Sequence, residues 1–194
     1  MTGVQVVLVL TLGVALMCES VAAAKKPTFG VFGTINGKKF KAIGTGKPDD
    51  PCVNGFYQSS GGVVFTAGEC RGRRRRIARR NFKQVVLACG ALNPPAPTPP
   101  FQAPCVSAVY VEARTKVGAP VKEKQWGSSA KFVPGPEGTV ILQSGVNIRI
   151  DSFDGTCVRG AFFGIFDMPL RGTSTPAPIS GETTFYFPVR GVEP

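Results

Sequence analysis

The chain has no histidine, a single tryptophan and only twelve acidic residues among 194. Each scarcity excludes something. Without histidine the commonest general base is missing, and Ser–His or Cys–His nucleophile pairs cannot be assembled. Imidazole-based zinc sites go with it, and no two cysteines stand at the spacing of a thiolate knuckle. Gly44-Thr45-Gly46-Lys47 has the glycines of a phosphate loop but neither its full spacing nor the Ser or Thr after the lysine. The expectation is a non-enzymatic protein with no metal and no cofactor. After the first two dozen residues no hydrophobic run approaches the ~20 residues of a membrane-spanning helix.

Those first residues read as an export signal. Val4 to Met17 is a short apolar run, and Ala22-Ala23-Ala24 supplies the small residues a signal peptidase cuts after. No Lys or Arg precedes the run, which departs from the usual pattern. Cys18 raises a second reading, a lipid anchor on that cysteine, but the bulky Met17 before it suits acylation poorly. Residues 1–24 are therefore assigned to a cleaved signal peptide and residues 25–194 to one domain, long enough to bury a core. The expected location is periplasmic, extracellular or at the cell surface.

Five cysteines follow the signal, and an oxidising compartment permits disulfides. Spacing cannot choose among the connectivities. Cys52–Cys70 and Cys89–Cys105 are preferred, because each closes a modest loop flanked by strand-like sequence, worth about 3 kcal/mol apiece by loop entropy. Cys157 is then expected to be a free thiol buried in a strand.

The pattern along the chain is one of strands. Asn36-Gly37 lies between two apolar runs, and both residues tolerate the positive φ of a two-residue type I′ turn. Pairing Ile35 with Lys38 sets Gly33 against Phe40 and Val31 against Ala42. Phe29, Val31, Ile35, Phe40 and Ala42 then share one face, with Thr34, Lys39 and Lys41 on the other. Phe56 to Ser59, Val63 to Thr66 and Phe82 to Cys89 read as strands, although the last also shows helical spacing. From Val106, Val109, Val111 and Ala113 alternate with Tyr110, Glu112 and Arg114. Trp126 to Val133 reads as an edge strand, and Thr139 to Leu142 and Val146 to Phe153 as further strands. Asp154-Gly155 marks a hairpin, Cys157 to Asp167 a central strand, and Ile179 to Arg190 the last one. Asn93 to Pro104, with six prolines in twelve residues, reads as an extended surface loop outside any ladder. The expected fold is all-β: a single antiparallel β-sandwich or flattened barrel of about ten short strands.

Two stretches carry a resemblance. One is the hairpin Ile35-Asn36-Gly37-Lys38-Lys39-Phe40. The other is the pair Val158-Arg159-Gly160-Ala161-Phe162-Phe163 and Ile179-Ser180-Gly181-Glu182-Thr183-Thr184-Phe185. Together they resemble small exported bacterial β-sandwich-like envelope proteins of uncharacterised function, many of them lipoproteins. The resemblance implies an exported sandwich-like fold and brings no catalytic residue and no ligand.

Function rests on residues 71–83, RGRRRRIARRNFK. Eight of these thirteen are basic: Arg71, Arg73, Arg74, Arg75, Arg76, Arg79, Arg80 and Lys83. Once the signal is removed, 23 Lys and Arg face eleven acids, a net charge of +12, and the run supplies eight of those charges. Guanidinium groups bind phosphate and sulfate bidentately at any relevant pH. The run is thus a candidate site for anionic surface polymers or lipids. Sequence-specific nucleic-acid recognition is not expected, since only Phe82 stands near as a stacking residue. The opposing reading is an exposed edge hairpin whose charge blocks aggregation, with arginines pointing to both sides. A structural or adhesive envelope protein with a protein partner is the alternative class. A hydrolase or calcium-binding domain on Asp151 and Asp154 is a further one, set against an ordinary Asp-rich turn.

Overall fold

The computed structural model describes residues 28–47, 50–57, 62–71, 76–77, 82–90, 98–114 and 120–190. The signal-peptide reading of residues 1–24 lies outside them. The chain forms β1 (Gly30–Ile35), β2 (Lys38–Ile43), β3 (Val53–Tyr57), β4 (Val63–Gly68), β5 (Cys70–Arg71), β6 (Arg76–Ile77), β7 (Phe82–Cys89) and β8 (Phe101–Arg114). It continues with β9 (Lys122–Ser129), β10 (Lys131–Pro134), β11 (Val140–Gln143), β12 (Val146–Phe153), β13 (Cys157–Phe166), β14 (Met168–Arg171) and β15 (Ala177–Arg190). One 3-10 turn, Pro136–Gly138, separates β10 from β11. The all-β expectation is met. Among the described residues no helix is long and apolar enough to cross a membrane, which says nothing about crossing by strands.

The main sheet runs β12-β13-β15-β3-β4-β7-β8-β9-β14, and a β8–β12 pairing brings that order back on itself. The sheet is barrel-like and nearly closed, and antiparallel except where β3 meets the end of β15. Two long strands turn the corners. β8 pairs with β12 over Phe101 to Pro104 and then with β7 and β9 from Cys105 onward. β15 pairs with β1 and β13 up to Pro188, and Val189 and Arg190 pass to β3. Each corner carries a proline, a residue that has no N–H to give to a ladder.

The first hairpin adopts the expected register, residue for residue, with Asn36 at φ 52° and Gly37 at φ 66°. Its inward face packs Val31, Ile35, Phe40 and Ala42 into the core. At the centre Phe65 lies within 5.2–5.8 Å, ring to ring, of Phe162, Phe185 and Phe187. Towards one end Tyr110 stacks on Trp126 at 5.4 Å and meets Phe166 at 5.7 Å. β13 is central, as expected, and Gly160 is what lets it approach β12: a Cβ there would lie 2.0 Å from the Arg149 carbonyl oxygen.

Both preferred disulfides are present, Cys52–Cys70 and Cys89–Cys105, and they fit an oxidising environment. Three expectations need correction. Cys157 is buried in β13 but is not free; it is disulfide-bonded, with its partner outside the described residues. Phe101 to Pro104 do not belong to a proline-rich loop, because β12 offers them an open edge and they become the first residues of β8. Trp126 is not on an edge strand: β9 lies between β8 and β14, and its tryptophan is fully enclosed, donating Nε1–H to the Thr175 carbonyl at 2.8 Å.

Candidate functional site

Two residues of the arginine run, Arg71 and Arg76, belong to a strand pair. β5 and β6 pair antiparallel, Cys70 with Ile77 and Arg71 with Arg76. Of the eight basic residues, only the backbones of Arg71 and Arg76 and the whole of Lys83 fall within the described part. Arg73, Arg74, Arg75, Arg79 and Arg80 lie outside it. Phe82 to Cys89 is a strand, β7, paired along both edges with β4 and β8, so the helical spacing was incidental.

The root of this hairpin is fastened three ways. The Glu69 N–H donates to the Lys83 carbonyl at 3.0 Å, closing the root. The Cys52–Cys70 disulfide ties it to the start of β3. Lys83 itself is committed to structure: its ammonium pairs with Glu69 Oε1 at 3.1 Å and donates to the Lys39 carbonyl at 2.5 Å. It is therefore a poor choice for an anion-binding cation. What it does instead is bring the outer edge of β2 against the hairpin root. Lys39 and Lys41, both exposed, come with that edge. The alternation of the first hairpin had placed these lysines on its outward face, but no local signal linked that face to the arginine run forty residues on.

No family model, curated protein or solved structure matches the chain.

Nearby, the barrel end is closed by a polar cluster that the sequence did not disclose. Glu112 is buried on β8, where the inward phase is Ala108, Tyr110 and Glu112. Its carboxylate accepts from the Lys38 ammonium, from Tyr110 Oη at 3.0 Å and from Asn36 Nδ2 at 3.4 Å. Burial, and then the Glu112 carboxylate beside it, push the Tyr110 phenol above its ordinary value, so it stays a hydrogen-bond donor. This cluster pins the Asn36-Gly37 turn to the barrel wall.

Asp151 and Asp154 are both committed locally. Asp151 Oδ1 accepts from Arg149 Nε at 2.6 Å, and the same guanidinium also pairs with Glu182. Asp154 Oδ1 accepts from the Thr156 N–H, the Thr156 hydroxyl and the Cys157 N–H at 2.7–2.9 Å, the geometry of a turn-capping aspartate. Among the described residues no group of three potential ligands could hold a metal ion.

Burial pushes the Asp154 carboxyl up, but those three donors outweigh it and hold the group below its ordinary value of 3.8. A carboxylate whose folded-state pKa is depressed stabilises the fold above its unfolded pKa and loses that contribution as pH falls through the folded one. Asp154→Ala should therefore cost about 1 kcal/mol at neutral pH. In urea titrations at stepped pH, the gap to the wild type should close below about pH 4. A gap that stays constant down to pH 2 would mean that the charge on Asp154 contributes nothing.

Proposed function

We propose that this chain is an exported, non-enzymatic β domain that holds anionic polymers or lipid surfaces through its arginine-rich hairpin. The observation that carries the reading is the Arg71–Arg76 ladder pair above a root fixed by a disulfide and an ion pair. A fixed root sets where the run leaves the sheet, and the rest of the domain carries little net charge. The exposed Lys39 and Lys41 at its foot extend the cationic surface onto β2. Phe82 is half-buried within β7 and is the one aromatic in the run, which supports charge-led rather than base-specific binding. The two disulfides support export.

The test is binding of heparin, DNA and anionic vesicles as a function of salt. Replacing Arg73, Arg74, Arg75 and Arg76 together by alanine should weaken the preferred polyanion at least ten-fold. It should also flatten the slope of log affinity against log salt, by about 0.7–0.9 for each phosphate no longer neutralised. Unchanged affinity in that variant would sink the proposal. So would attraction that disappears for every polyanion alike at physiological salt.

A second reading, adhesion to a protein partner, is favoured by one observation. The β10–β11 hairpin carries Phe132 and Val140 at 71 % and 68 % exposure. Its register places Phe132 opposite Leu142 and Val140 opposite Pro134, so one side of it is apolar throughout.

A further inference from the structure

At the foot of the β10–β11 hairpin lies a pocket of about 210 Å³, lined by Ser129, Lys131, Gln143, Ser144, Gly145 and Asp167. It is separate from the arginine hairpin and uses none of its residues. We infer that this pocket is a binding site for a single neutral saccharide residue, with Asp167 as its principal acceptor.

Four observations lead there. First, apart from Gly145, every lining side chain ends in a hydroxyl, an amide, an ammonium or a carboxylate, a density of donors and acceptors that a polyhydroxylated ring can match. Second, Asp167 Oδ1 is buried and has no hydrogen-bond partner among the described residues. A buried acceptor left unsatisfied costs about 1–3 kcal/mol, so its persistence calls for an occupant that donates to it. The final torsion of an aspartate is soft and roughly two-fold, so the two oxygens can exchange places when a donor enters the pocket that Asp167 lines.

Third, the floor is already ordered. Ser144 Oγ accepts from the Val146 N–H at 3.3 Å, and Gly145 N–H donates to Ser128 Oγ at 3.1 Å. The Gly145 carbonyl is held by the Ile165 N–H at 2.7 Å. A Cβ on Gly145 would sit 3.0 Å from the Asp167 carboxyl carbon and 2.6 Å from the Ile165 carbonyl, so glycine is what allows the carboxylate to lie against this loop. Fourth, Ser129 keeps hydrogen-bonding capacity for an occupant: among the described residues its Oγ donates to the Met168 sulfur at 3.9 Å, and a thioether is a weak acceptor.

Size and charge narrow the class. The volume equals about seven waters and lies below the ~300 Å³ at which drug-sized pockets begin, which suits one sugar ring. With Asp167 and Lys131 both in the lining the pocket carries no net charge, which gives phosphate and sulfate no advantage over a neutral ligand.

The experiment is saturation-transfer NMR on the full chain with glucose, galactose, mannose, N-acetylglucosamine and N-acetylgalactosamine, and with glycine as a zwitterionic control. At least one sugar should give transfer to its ring protons. That signal should fall at least five-fold in Asp167→Asn and measurably in Gln143→Ala and Lys131→Ala, two exposed positions whose replacement leaves the fold intact. The inference is overturned if no sugar gives transfer, if glycine binds in place of the sugars, or if the signal is unchanged in the Gln143 and Lys131 variants. Loss of polyanion binding in the arginine variant with sugar binding retained would separate the two sites.

Discussion

Replacing Phe65 by alanine should destabilise the protein by about 3–5 kcal/mol, a large part of the 5–15 kcal/mol by which a domain is ordinarily stable. Phe65 lies on β4, between β3 and β7, and its ring meets Phe162 from β13 and Phe185 and Phe187 from β15. It is one of the rings through which strands that do not pair with one another meet across the interior, as Tyr110 and Phe166 also do. Truncation takes that packing away, and the cavity left behind cannot collapse, because each neighbour is fixed by its own ladder. Urea unfolding measures the effect as a lower midpoint with an unchanged slope. The adjacent Val64 points outward at 40 % exposure, and Val64→Ala should cost under about 0.5 kcal/mol. Equal losses at the two positions would mean that the assigned faces of β4 are wrong.

Glu112→Ala should cost about 2–3 kcal/mol. The carboxylate is buried, and its removal strands two groups at once: the Lys38 ammonium loses its counter-charge and the Tyr110 hydroxyl loses its acceptor. Breaking a fully buried pair costs about 3–5 kcal/mol, and the expected figure is lower here because Lys38 is 33 % exposed and can turn to water. Glu112→Gln, which can still accept from Tyr110, should lose only about 1 kcal/mol. In a double-mutant cycle, Lys38→Met should recover part of the loss in Glu112→Leu, because both charges are then gone together. Additive losses would show that the two side chains do not act as a pair.

What could be read from the sequence was what is decided locally. Asn36-Gly37 fixed its own turn type, the turn fixed the register of β1 with β2, and the alternation of Val146, Ile148 and Ile150 fixed the buried side of β12. The two disulfides followed because each joins strands close in sequence. Long-range pairing was a different matter. Prolines are good evidence against a central ladder, so Phe101 to Pro104 read as loop until the open edge of β12 was known. Trp126 looked peripheral because its flanks, Lys122 to Gln125 and Ser128 to Ser129, are polar; its enclosure depends on Tyr110, the Thr175 carbonyl and β14 meeting it from other parts of the chain. At the site, eight basic residues were legible as a cluster. That Lys83 is consumed by Glu69 depends on the hairpin closing between them, and that β2 brings Lys39 and Lys41 to the root depends on strands meeting from more than forty residues apart.

The earliest hairpin and the latest strand are stitched together, Val31 opposite Phe185 and Ile35 opposite Ile179. β1 thus has no permanent neighbour on its outer edge until residues 177–190 have been made. Closing so long a loop is entropically expensive, and folds built from such distant pairings form slowly. Refolding should therefore be late and all-or-none, with amide protection in β1 appearing together with that of β15 rather than ahead of it.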